Sequence, residues 1–326
     1  MLQDKYGRPI SYVRLAVTDR CNLRCTYCMP EHIQFVERKA LLTFEEMERL
    51  LMILTQMGVN KVRITGGEPF MRKGLMDFLD NLSSIELLKK ITLTTNGVFT
   101  QQYLSKLKAL GINSINLSLD TLDAQKFFQL TRRNEFQTVW ATFEQMVAMG
   151  FAVKINMVVM EDQNTEDILP MATLAEQYPV DVRFIEEMPF NGEENRHPVL
   201  KWDYVRILEE LKSVYPDLKL MVAEPHSTSL NYSAPRLKGK LGVIPAYSRT
   251  FCGSCNRIRI TSQGFLHTCL YSKSSLNLRS LLRSGASDQE IQLAIQQAVS
   301  GKAKNGFEAA RLNKDSLSAS MSTIGG

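Results

Sequence analysis

The chain has 326 residues, of which 44% are hydrophobic and 22% charged, a composition typical of a soluble globular protein with a sizeable core. Its formal net charge of +5 is too small to indicate a nucleic-acid polymer as partner, but it is compatible with a basic pocket for a small polyanion. No apolar run resembles a signal peptide or a membrane span, so we expect a cytoplasmic protein with no membrane partner. Because that compartment keeps thiols reduced, grouped cysteines there indicate metal ligands or catalysts.

The first two thirds of the sequence alternate strand-like and helix-like segments. The predicted strands are Ser11–Val17, Lys61–Ile64, Lys90–Thr94, Ser114–Leu119, Ala152–Met160 and Val182–Glu186. The predicted helices run from the cap at Thr43 through Gln56 and over Leu75–Leu82, Gln101–Leu110, Phe136–Met149 and Glu166–Tyr178. Glu46 completes a capping box with Thr43, and Gly58, Gly111 and Gly150 each follow a helix, where glycine takes the left-handed conformation without steric cost.

Six successive strand–helix units predict a parallel sheet with right-handed crossovers. Periodicity alone does not distinguish an open doubly wound sheet from a curved partial barrel. No Gly-x-Gly-x-x-Gly follows the first strand, which counts against a dinucleotide-binding sheet. Polar motifs instead lie just after strand ends, which form one mouth in a barrel. These motifs are Asp19–Cys28, Thr65–Pro69, Thr94–Gly97, Ser118–Asp120 and Glu186–Met188. We therefore predict an α/β fold in which residues 1–225 form a partial (β/α)6 TIM-like barrel.

The composition changes after about residue 225. The segment 225–245 is rich in Ser, Gly, Pro and Lys, and a group of cysteines and then Ser- and Gln-rich helical sequence follow it. We expect residues 226–326 to form an extension that packs on the mouth of the barrel and ends in Gly325 and Gly326.

The first cysteine triplet is Cys21, Cys25 and Cys28, with C-x3-C-x2-C spacing. Iron–sulfur clusters are held by cysteine thiolates, normally four for a 4Fe–4S cluster, so three leave one iron open to a chelating small molecule. A structural zinc site usually has four protein ligands, and only His32 lies nearby as a further candidate. The triplet therefore favours an iron–sulfur cluster over zinc.

This triplet, with Tyr27 before its last cysteine, resembles the signature of the radical S-adenosylmethionine (SAM) enzymes. The resemblance implies that the open iron binds the amino and carboxylate groups of SAM, whose reductive cleavage gives a 5′-deoxyadenosyl radical. The motif Thr65-Gly66-Gly67-Glu68-Pro69 is similar to the SAM-binding loop of that family. By the same resemblance, the SAM contacts are Tyr27, Gly67, Ser118 and Met188.

The second triplet is Cys252, Cys255 and Cys269, with C-x2-C-x13-C spacing. By itself this spacing also suits a zinc ribbon, with His267 as a candidate fourth ligand. Because the first triplet already indicates an iron–sulfur protein, the second triplet favours a second iron–sulfur cluster over zinc. Arg257 and Arg259 also share one face of a strand. Because a guanidinium donates bidentate hydrogen bonds to phosphate, the pair predicts a phosphorylated ligand beside this cluster.

The run Phe251–Thr261, the terminal Gly-Gly and the opening motifs Tyr6-Gly7-Arg8 and Val17–Asn22 are similar to the GTP 3′,8-cyclase family of molybdenum-cofactor biosynthesis. The resemblance implies two 4Fe–4S clusters, SAM, and conversion of GTP to 3′,8-cyclo-7,8-dihydro-GTP, with the second cluster binding the guanine. It also implies a homodimer, an electron donor, and cyclic pyranopterin monophosphate synthase as the downstream enzyme.

The same resemblance assigns residues to GTP and to catalysis. The GTP contacts are Arg14, Arg63, Thr94, Lys154, Arg257 and Arg259, with Arg183 as a further candidate in the same cavity, and the catalytic tail is Gly325 and Gly326. Several of these charged residues lie in predicted parallel strands, which are largely buried, so each needs a partner such as a triphosphate.

Two positions depart from the family pattern. Arg132 stands where a glycine is expected after Thr131, and Glu187 stands where an apolar residue is expected before Met188. Two other functions stay open: a radical SAM maturase that acts on a peptide and carries an auxiliary cluster, and a non-enzymatic zinc-binding scaffold.

Overall fold

The computed structural model describes residues 1–30, 32–190, 200–313 and 320–325. Its strands are β1 Tyr12–Ala16, β2 Lys61–Thr65, β3 Lys90–Thr95, β4 Ser114–Ser118, β5 Ala152–Val159, β6 Asp181–Glu186, β7 Lys219–Leu220, β8 Leu230–Ser233, β9 Lys240–Ile244, β10 Arg257–Ile260, β11 Phe265–His267 and β12 Leu276–Asn277. Its helices are α1 Phe44–Gln56, α2 Leu75–Ser83, α3 Leu104–Ala109, α4 Ala124–Thr131, α5 Phe136–Ala148, α6 Ile168–Ala172, α7 Leu174–Gln177, α8 Tyr204–Val214, α9 Leu278–Arg283, α10 Asp288–Ser300, α11 Gly306–Arg311 and α12 Met321–Ile324.

The described strands form one sheet in the order β12-β11-β10-β1-β2-β3-β4-β5-β6-β9-β8-β7. Strands β10, β1, β2, β3, β4, β5, β6 and β9 are parallel neighbours. All of these parallel strands contribute residues to one cavity of about 410 Å³, which requires the sheet to curve around it. The predicted α/β class and partial TIM-like barrel are therefore confirmed, and β9 and β10 lengthen the parallel sheet beyond the six predicted strands.

Helix α1 illustrates how the helices cover the outside of the sheet. Met47, Leu50, Leu51 and Leu54 are buried on one stripe with the spacing of an amphipathic helix. The predicted capping box is present, since the Thr43 side chain accepts from the Glu46 backbone and the Glu46 side chain accepts from the Thr43 backbone. No helix in the described part of the chain has the length and apolar character needed to cross a bilayer.

The predicted helices differ from the observed ones where local chemistry breaks the period. The segment predicted as Glu166–Tyr178 divides into a 3-10 turn at Thr165–Asp167 followed by α6 and α7, with Pro170 in the first turn of α6. Proline is tolerated there because that N–H needs no helical acceptor. Helix α4 was not predicted, although Asp123 caps it by accepting from the Lys126 backbone.

The two cysteine triplets lie at opposite edges of the parallel sheet. Cys21 follows the carboxyl end of β1, whereas Cys255 comes just before the amino end of β10, which is parallel to β1. The expectation that the extension packs on the mouth is therefore wrong for the second triplet. It holds for Gly325, which packs near Ala16 and Thr65 at the carboxyl ends of β1 and β2.

Arg132 occupies a backbone conformation that favours glycine, with φ of +56° at the end of α4. For a residue with a side chain this conformation costs about 1–2 kcal/mol. We expect Arg132→Gly to raise the free energy of unfolding by about 1 kcal/mol, once the extra freedom of glycine in the unfolded chain is subtracted. Chemical denaturation measures the change.

The neighbouring substitution Arg133→Gly is the matched control for that prediction. Arg133 lies outside the left-handed region, so its replacement should lower the free energy of unfolding. If Arg132→Gly were as destabilising as Arg133→Gly, backbone strain at residue 132 would be too small to matter.

Candidate active site

The first cysteine loop is anchored on the end of α4. The backbone N–H groups of Arg24 and Thr26 donate to the carbonyls of Thr131 and Leu130, at 2.9 Å and 3.0 Å. The unpredicted helix therefore fixes the loop that carries the first triplet. Its ending also explains why a glycine was expected after Thr131, because that residue takes the left-handed conformation.

The three thiols of this loop converge. Burial, followed by the negative charge of Glu68, raises the pKa of Cys21 to about 11. Burial, followed by the charge of Cys21, raises the pKa of Cys28 to about 12. Burial and the charges of Cys28 and Asp120 raise the pKa of Cys25 well above its usual value. Three neighbouring thiolates are thus unfavourable alone, and cationic iron would stabilise them.

The spacing of the thiols bears on which metal they suit. No group of three or more His, Cys, Asp or Glu side chains in the described ranges is arranged to hold a metal ion. A tetrahedral zinc site, with Zn–S bonds of about 2.3 Å, requires sulfurs only about 3.8 Å apart. A 4Fe–4S cube separates its ligands more widely, so the lack of ion-sized spacing does not count against a cluster held by these three cysteines.

The glycines of the Gly-Gly-Glu-Pro loop allow it to pack directly on the cysteine loop. A Cβ on Gly67 would lie 2.4 Å from the carbonyl oxygen of Arg20. The Gly67 N–H donates to the carbonyl of Thr18 and the Glu68 N–H to that of Arg20, each at 2.8 Å. Gly67 also lines the cavity, so it remains available for a ligand.

Glu68 ties this loop to the end of β3. Its buried carboxylate accepts from Phe70 N, Thr95 Oγ1 and Asn96 N, at 3.2, 2.9 and 2.7 Å. Burial raises the pKa of Glu68 to about 7, against the opposing effect of these hydrogen bonds. Asn96 in turn donates to Asn22 Oδ1 at 2.8 Å, so β2, β3 and the cysteine loop form one unit.

The predicted SAM contacts are only partly brought together. Tyr27, Gly67 and Met188 line the cavity, but Ser118, at the end of β4, is not one of its lining residues. The Tyr27 hydroxyl donates to Asp120 Oδ2 at 2.8 Å, and burial raises the pKa of Asp120 to about 6.

Three arginines lie side by side across the inside of the barrel. In the strand pairing, Arg14 on β1 stands between Arg259 on β10 and Arg63 on β2. Burial lowers the pKa of Arg63 to about 10. The charge of Tyr12 opposes this shift, and the positive charge of Arg14 adds to it. Burial and then the charge of Arg14 lower the pKa of Arg259 well below its usual value. Such a row is unfavourable until an anion joins it.

Several of these cations lack acceptors. The Nε atoms of Arg14, Arg63 and Arg183 are buried and have no hydrogen-bond partner among the described residues. Among the described residues, Lys154 and Arg183 form weak ion pairs with Asp181, at 3.3 Å and 3.7 Å. All four cations and Thr94 line the same cavity. Phosphate oxygens would supply the missing acceptors.

The second triplet lines the opposite end of that cavity, with all three cysteines among the lining residues. Burial alone would raise the pKa of Cys255, but the charges of Lys302 and Arg257 outweigh it and lower the pKa to about 6. A thiolate suited to iron is therefore favoured at Cys255. Arg8, from the opening motif, donates to the Cys252 carbonyl at 3.0 Å and so supports this loop.

The chain end reaches the mouth of the barrel. Ser320 Oγ donates to the carbonyl of Cys28 at 2.7 Å, and Met321 N donates to that of Phe190 at 2.9 Å. Arg259 donates to the carbonyl of Gly325, which links the tail to the arginine row. Gly326, the second residue of the predicted catalytic tail, lies outside the described residues.

Many other cavity residues were missed from the sequence, and among them are Tyr12, Lys61 and Lys90. Lys61 lies two residues before Arg63 on β2, so strand alternation places both on one face. The signal that selected Arg63, a charged residue in a buried strand, would also have found Lys61. Arg257 lines the cavity as predicted.

Glu186, at the end of β6, holds the loop before the second triplet. Its buried carboxylate accepts from Tyr204 N, Tyr247 N, Ser248 N and Ser248 Oγ, at 2.7–2.8 Å. We expect Glu186→Gln to lower the free energy of unfolding by about 2–3 kcal/mol, because an amide NH2 would face N–H donors. Thermal denaturation measures it, with exposed Glu209→Gln as the control. Equal stabilities would rule out this anchoring role.

Comparison with known proteins gives the site its family. The model of the Radical SAM superfamily matches residues 15–175, and that of Molybdenum Cofactor Synthesis C matches residues 180–308. A GTP 3′,8-cyclase of Clostridium perfringens is 37% identical over 316 residues, covering 96% of this chain and 97% of that protein. The chain belongs to the GTP 3′,8-cyclase family.

Other relatives of this GTP 3′,8-cyclase family member extend the comparison. Molybdenum cofactor biosynthesis protein 1 of Bos taurus is 40% identical over 309 residues, which cover 92% of this chain. The match covers 48% of the bovine protein, so the chain spans about half its length. The crystal structure of Streptococcus suis SuiB bound to S-adenosylmethionine covers 96% of this chain and 76% of its own, with a TM-score of 0.65 and 16% identity. That likeness supports the radical SAM fold alone.

The GTP 3′,8-cyclase family, as part of the radical SAM superfamily, uses SAM and iron–sulfur clusters. The described residues fit both groups, since converging thiols and a glycine loop adjoin one cavity. The two relatives named above carry the cyclase and molybdenum-cofactor names, and neither is described as a peptide maturase or a zinc-binding scaffold.

Proposed function

We propose that this chain converts GTP to 3′,8-cyclo-7,8-dihydro-GTP, the first step of molybdenum-cofactor biosynthesis. One observation carries the proposal: a single cavity is lined by Cys28 of the first triplet, by all three cysteines of the second, and by the row Arg259–Arg14–Arg63. A site for a nucleoside triphosphate between two iron–sulfur clusters needs this combination. A triphosphate offers the acceptors that the buried guanidinium groups lack.

We assign one 4Fe–4S cluster to Cys21, Cys25 and Cys28 and a second to Cys252, Cys255 and Cys269. When bound, the first cluster supplies the electron that cleaves SAM, giving the radical that takes the hydrogen from ribose C3′. Tyr27, Gly67, Ser118 and Met188 bind SAM in this proposal. The hydrogen bond from the Tyr27 hydroxyl to Asp120 supports a fixed orientation for the tyrosine.

The remaining residues hold GTP so that C3′ faces the radical source. Arg14, Arg63, Lys154, Arg183, Arg257 and Arg259 neutralise the triphosphate, and Thr94 contacts the nucleotide. The guanine lies toward the second triplet, at the amino edge of the sheet. Gly325 and Gly326 reach into the mouth, where the contact of Gly325 with Arg259 supports a role next to the substrate.

Other features of the chain are proposed on the family resemblance. We propose a barrel unit at residues 1–225 and an extension at 226–326, a homodimer, an external electron donor, and transfer of the product to cyclic pyranopterin monophosphate synthase. A cytoplasmic location is supported by the six cysteines, none of which forms a disulfide.

The test is an anaerobic incubation of the reconstituted protein with SAM, dithionite and GTP, followed by mass spectrometry. We expect 5′-deoxyadenosine and the cyclised nucleotide in equal amounts, and no nucleotide conversion when ATP replaces GTP. Formation of 5′-deoxyadenosine with GTP untouched would mean that the substrate is wrong, and would bring back the peptide maturase. If neither product formed with both clusters present, the proposed function would be refuted.

A further inference from the structure

We propose that Tyr12 is a further substrate-binding residue, whose hydroxyl donates a hydrogen bond to a phosphate oxygen of the nucleotide. The inference rests on the proposed function, because it assigns a new contact within the same cavity. It goes beyond the cationic residues and gives the triphosphate site one uncharged donor.

The position of Tyr12 places it within the phosphate-binding part of the cavity. It is the first residue of β1, two residues before Arg14, so both side chains point to the inside of the barrel. In the strand pairing it stands between Arg257 on β10 and Lys61 on β2. The side chain lines the cavity, although only 6% of the residue is exposed.

The hydroxyl of Tyr12 lacks an acceptor. Its Oη is buried and finds no acceptor in the described part of the chain, and its neighbour Arg14 can only donate to it. The charged groups closest to it belong to Lys61, Arg63 and Arg14, which are donors only. The hydroxyl proton can therefore be satisfied only by an acceptor that enters the cavity. The Nε–H groups of Arg14 and Arg63 are also buried without an acceptor. One anionic ligand would therefore satisfy all three donors.

The ring of Tyr12 also organises the cations. Lys61 Nζ lies 4.6 Å from the ring centroid, and Arg63 Cζ lies 5.7 Å from it. Cation–π attraction at these distances holds both charges against the wall of the cavity before a ligand arrives. The phenol thus separates like charges and adds a donor between them.

The electrostatics of the site support a neutral donor near pH 7 that is lost at higher pH. Burial alone would raise the pKa of Tyr12, but the charges of Arg63, Arg14 and Lys61 outweigh it and lower the pKa to about 8. The charged groups that face the phenol are Arg14 on its own strand, Lys61 and Arg63 on β2, Arg257 and Arg259 on β10, and Arg183 on β6. Once ionised, Tyr12 cannot donate and repels phosphate, so phosphate affinity falls as the pH rises through about 8.

The first test compares wild type with Tyr12→Phe, which removes only the hydroxyl. Calorimetry on anaerobic holoenzyme measures binding of GTP and of inorganic tripolyphosphate near pH 7. We expect Tyr12→Phe to weaken both by about tenfold, the effect of losing one hydrogen bond to a charged acceptor. The control is Tyr232→Phe, a buried tyrosine on β8 outside the cavity, which should bind both ligands as wild type does.

The second test follows the pH dependence of binding, first in the wild-type protein and then in Tyr12→Phe. Wild-type affinity for tripolyphosphate is measured from about pH 7 to about pH 8.5, where we expect a progressive loss as Tyr12 ionises. Lys61 also has a lowered pKa, chiefly through burial, so the flattening of this profile in Tyr12→Phe separates the two groups. A wild-type profile without any loss of affinity would overturn the proposal.

The outcomes separate this inference from the function on which it rests. If wild type binds and converts GTP while Tyr12→Phe binds tripolyphosphate equally well, the Tyr12 contact is wrong and the function stands. Weaker GTP binding with unchanged tripolyphosphate binding would place Tyr12 on the sugar or base and also overturn the proposal. If wild type fails to convert GTP, the proposed function itself fails.

Discussion

Cys28→Ala should lose SAM cleavage completely and still bind GTP. Cys28 belongs to the triplet at the carboxyl edge of the sheet, and its carbonyl receives Ser320 from the tail. Removing its thiol leaves only two ligands for a cluster that already relies on three. The phosphate-binding cations stand on strands that do not depend on this loop. Production of 5′-deoxyadenosine with excess dithionite measures the first effect, and calorimetry with GTP measures the second.

Cys255→Ala should show the opposite pattern and serves as the matched control. Cys255 belongs to the triplet at the amino edge, where its pKa of about 6 favours the thiolate. Its loss should lower GTP conversion by about a hundredfold or more while SAM cleavage continues. Iron and sulfide analysis confirms that one cluster remains in each variant. If both variants lost SAM cleavage equally, the two triplets would not have separate roles.

The sequence was sufficient to predict the inner face of the barrel. Arg14, Arg63, Lys154 and Arg183 are charged residues in strands that read as buried, and burial of a charge requires a partner. The structure places all four on one cavity. The family resemblance selected these positions, and strand alternation, which is a local property, predicts only which residues of a strand share a face.

Long-range pairing was not accessible in the same way. Strand β10 pairs with β1 across some 240 residues of sequence, and that pairing sends the second triplet to the edge opposite the first. No periodicity within residues 250–270 contains this information. The same limit applies to Gly67, whose close approach to the Arg20 carbonyl depends on how two distant loops pack.

Helix α4 shows a third kind of limit. Its eight residues span little more than two turns, and Asp123 and Arg132 at its ends do not form the usual pair of cap signals. Yet its carbonyl end holds the first cysteine loop. Sequence patterns therefore did not predict this short helix, although its carbonyl groups position the loop of the first triplet.

Arg259→Ala should lower kcat/KM for GTP by about a thousandfold, because two charge-assisted hydrogen bonds are lost at about 1.5–3 kcal/mol each. One is the proposed contact with the triphosphate, and the other is the observed contact with the Gly325 carbonyl. Arg257→Ala is the matched comparison, since Arg257 lines the cavity from the same face of β10 and has no such contact with the tail among the described residues.

Steady-state kinetics should separate the two roles of Arg259. Loss of triphosphate binding raises KM in both variants, whereas loss of the tail contact lowers kcat only in Arg259→Ala. Deleting Gly325 and Gly326 from the wild-type chain should then reproduce the kcat defect and leave KM almost unchanged. If the deletion had no effect on kcat, the tail would be an ordinary chain end, and Arg259 would act through the triphosphate alone. If instead Arg259→Ala and the deletion shared one kcat value, the arginine would act on catalysis by holding the tail in the mouth of the barrel.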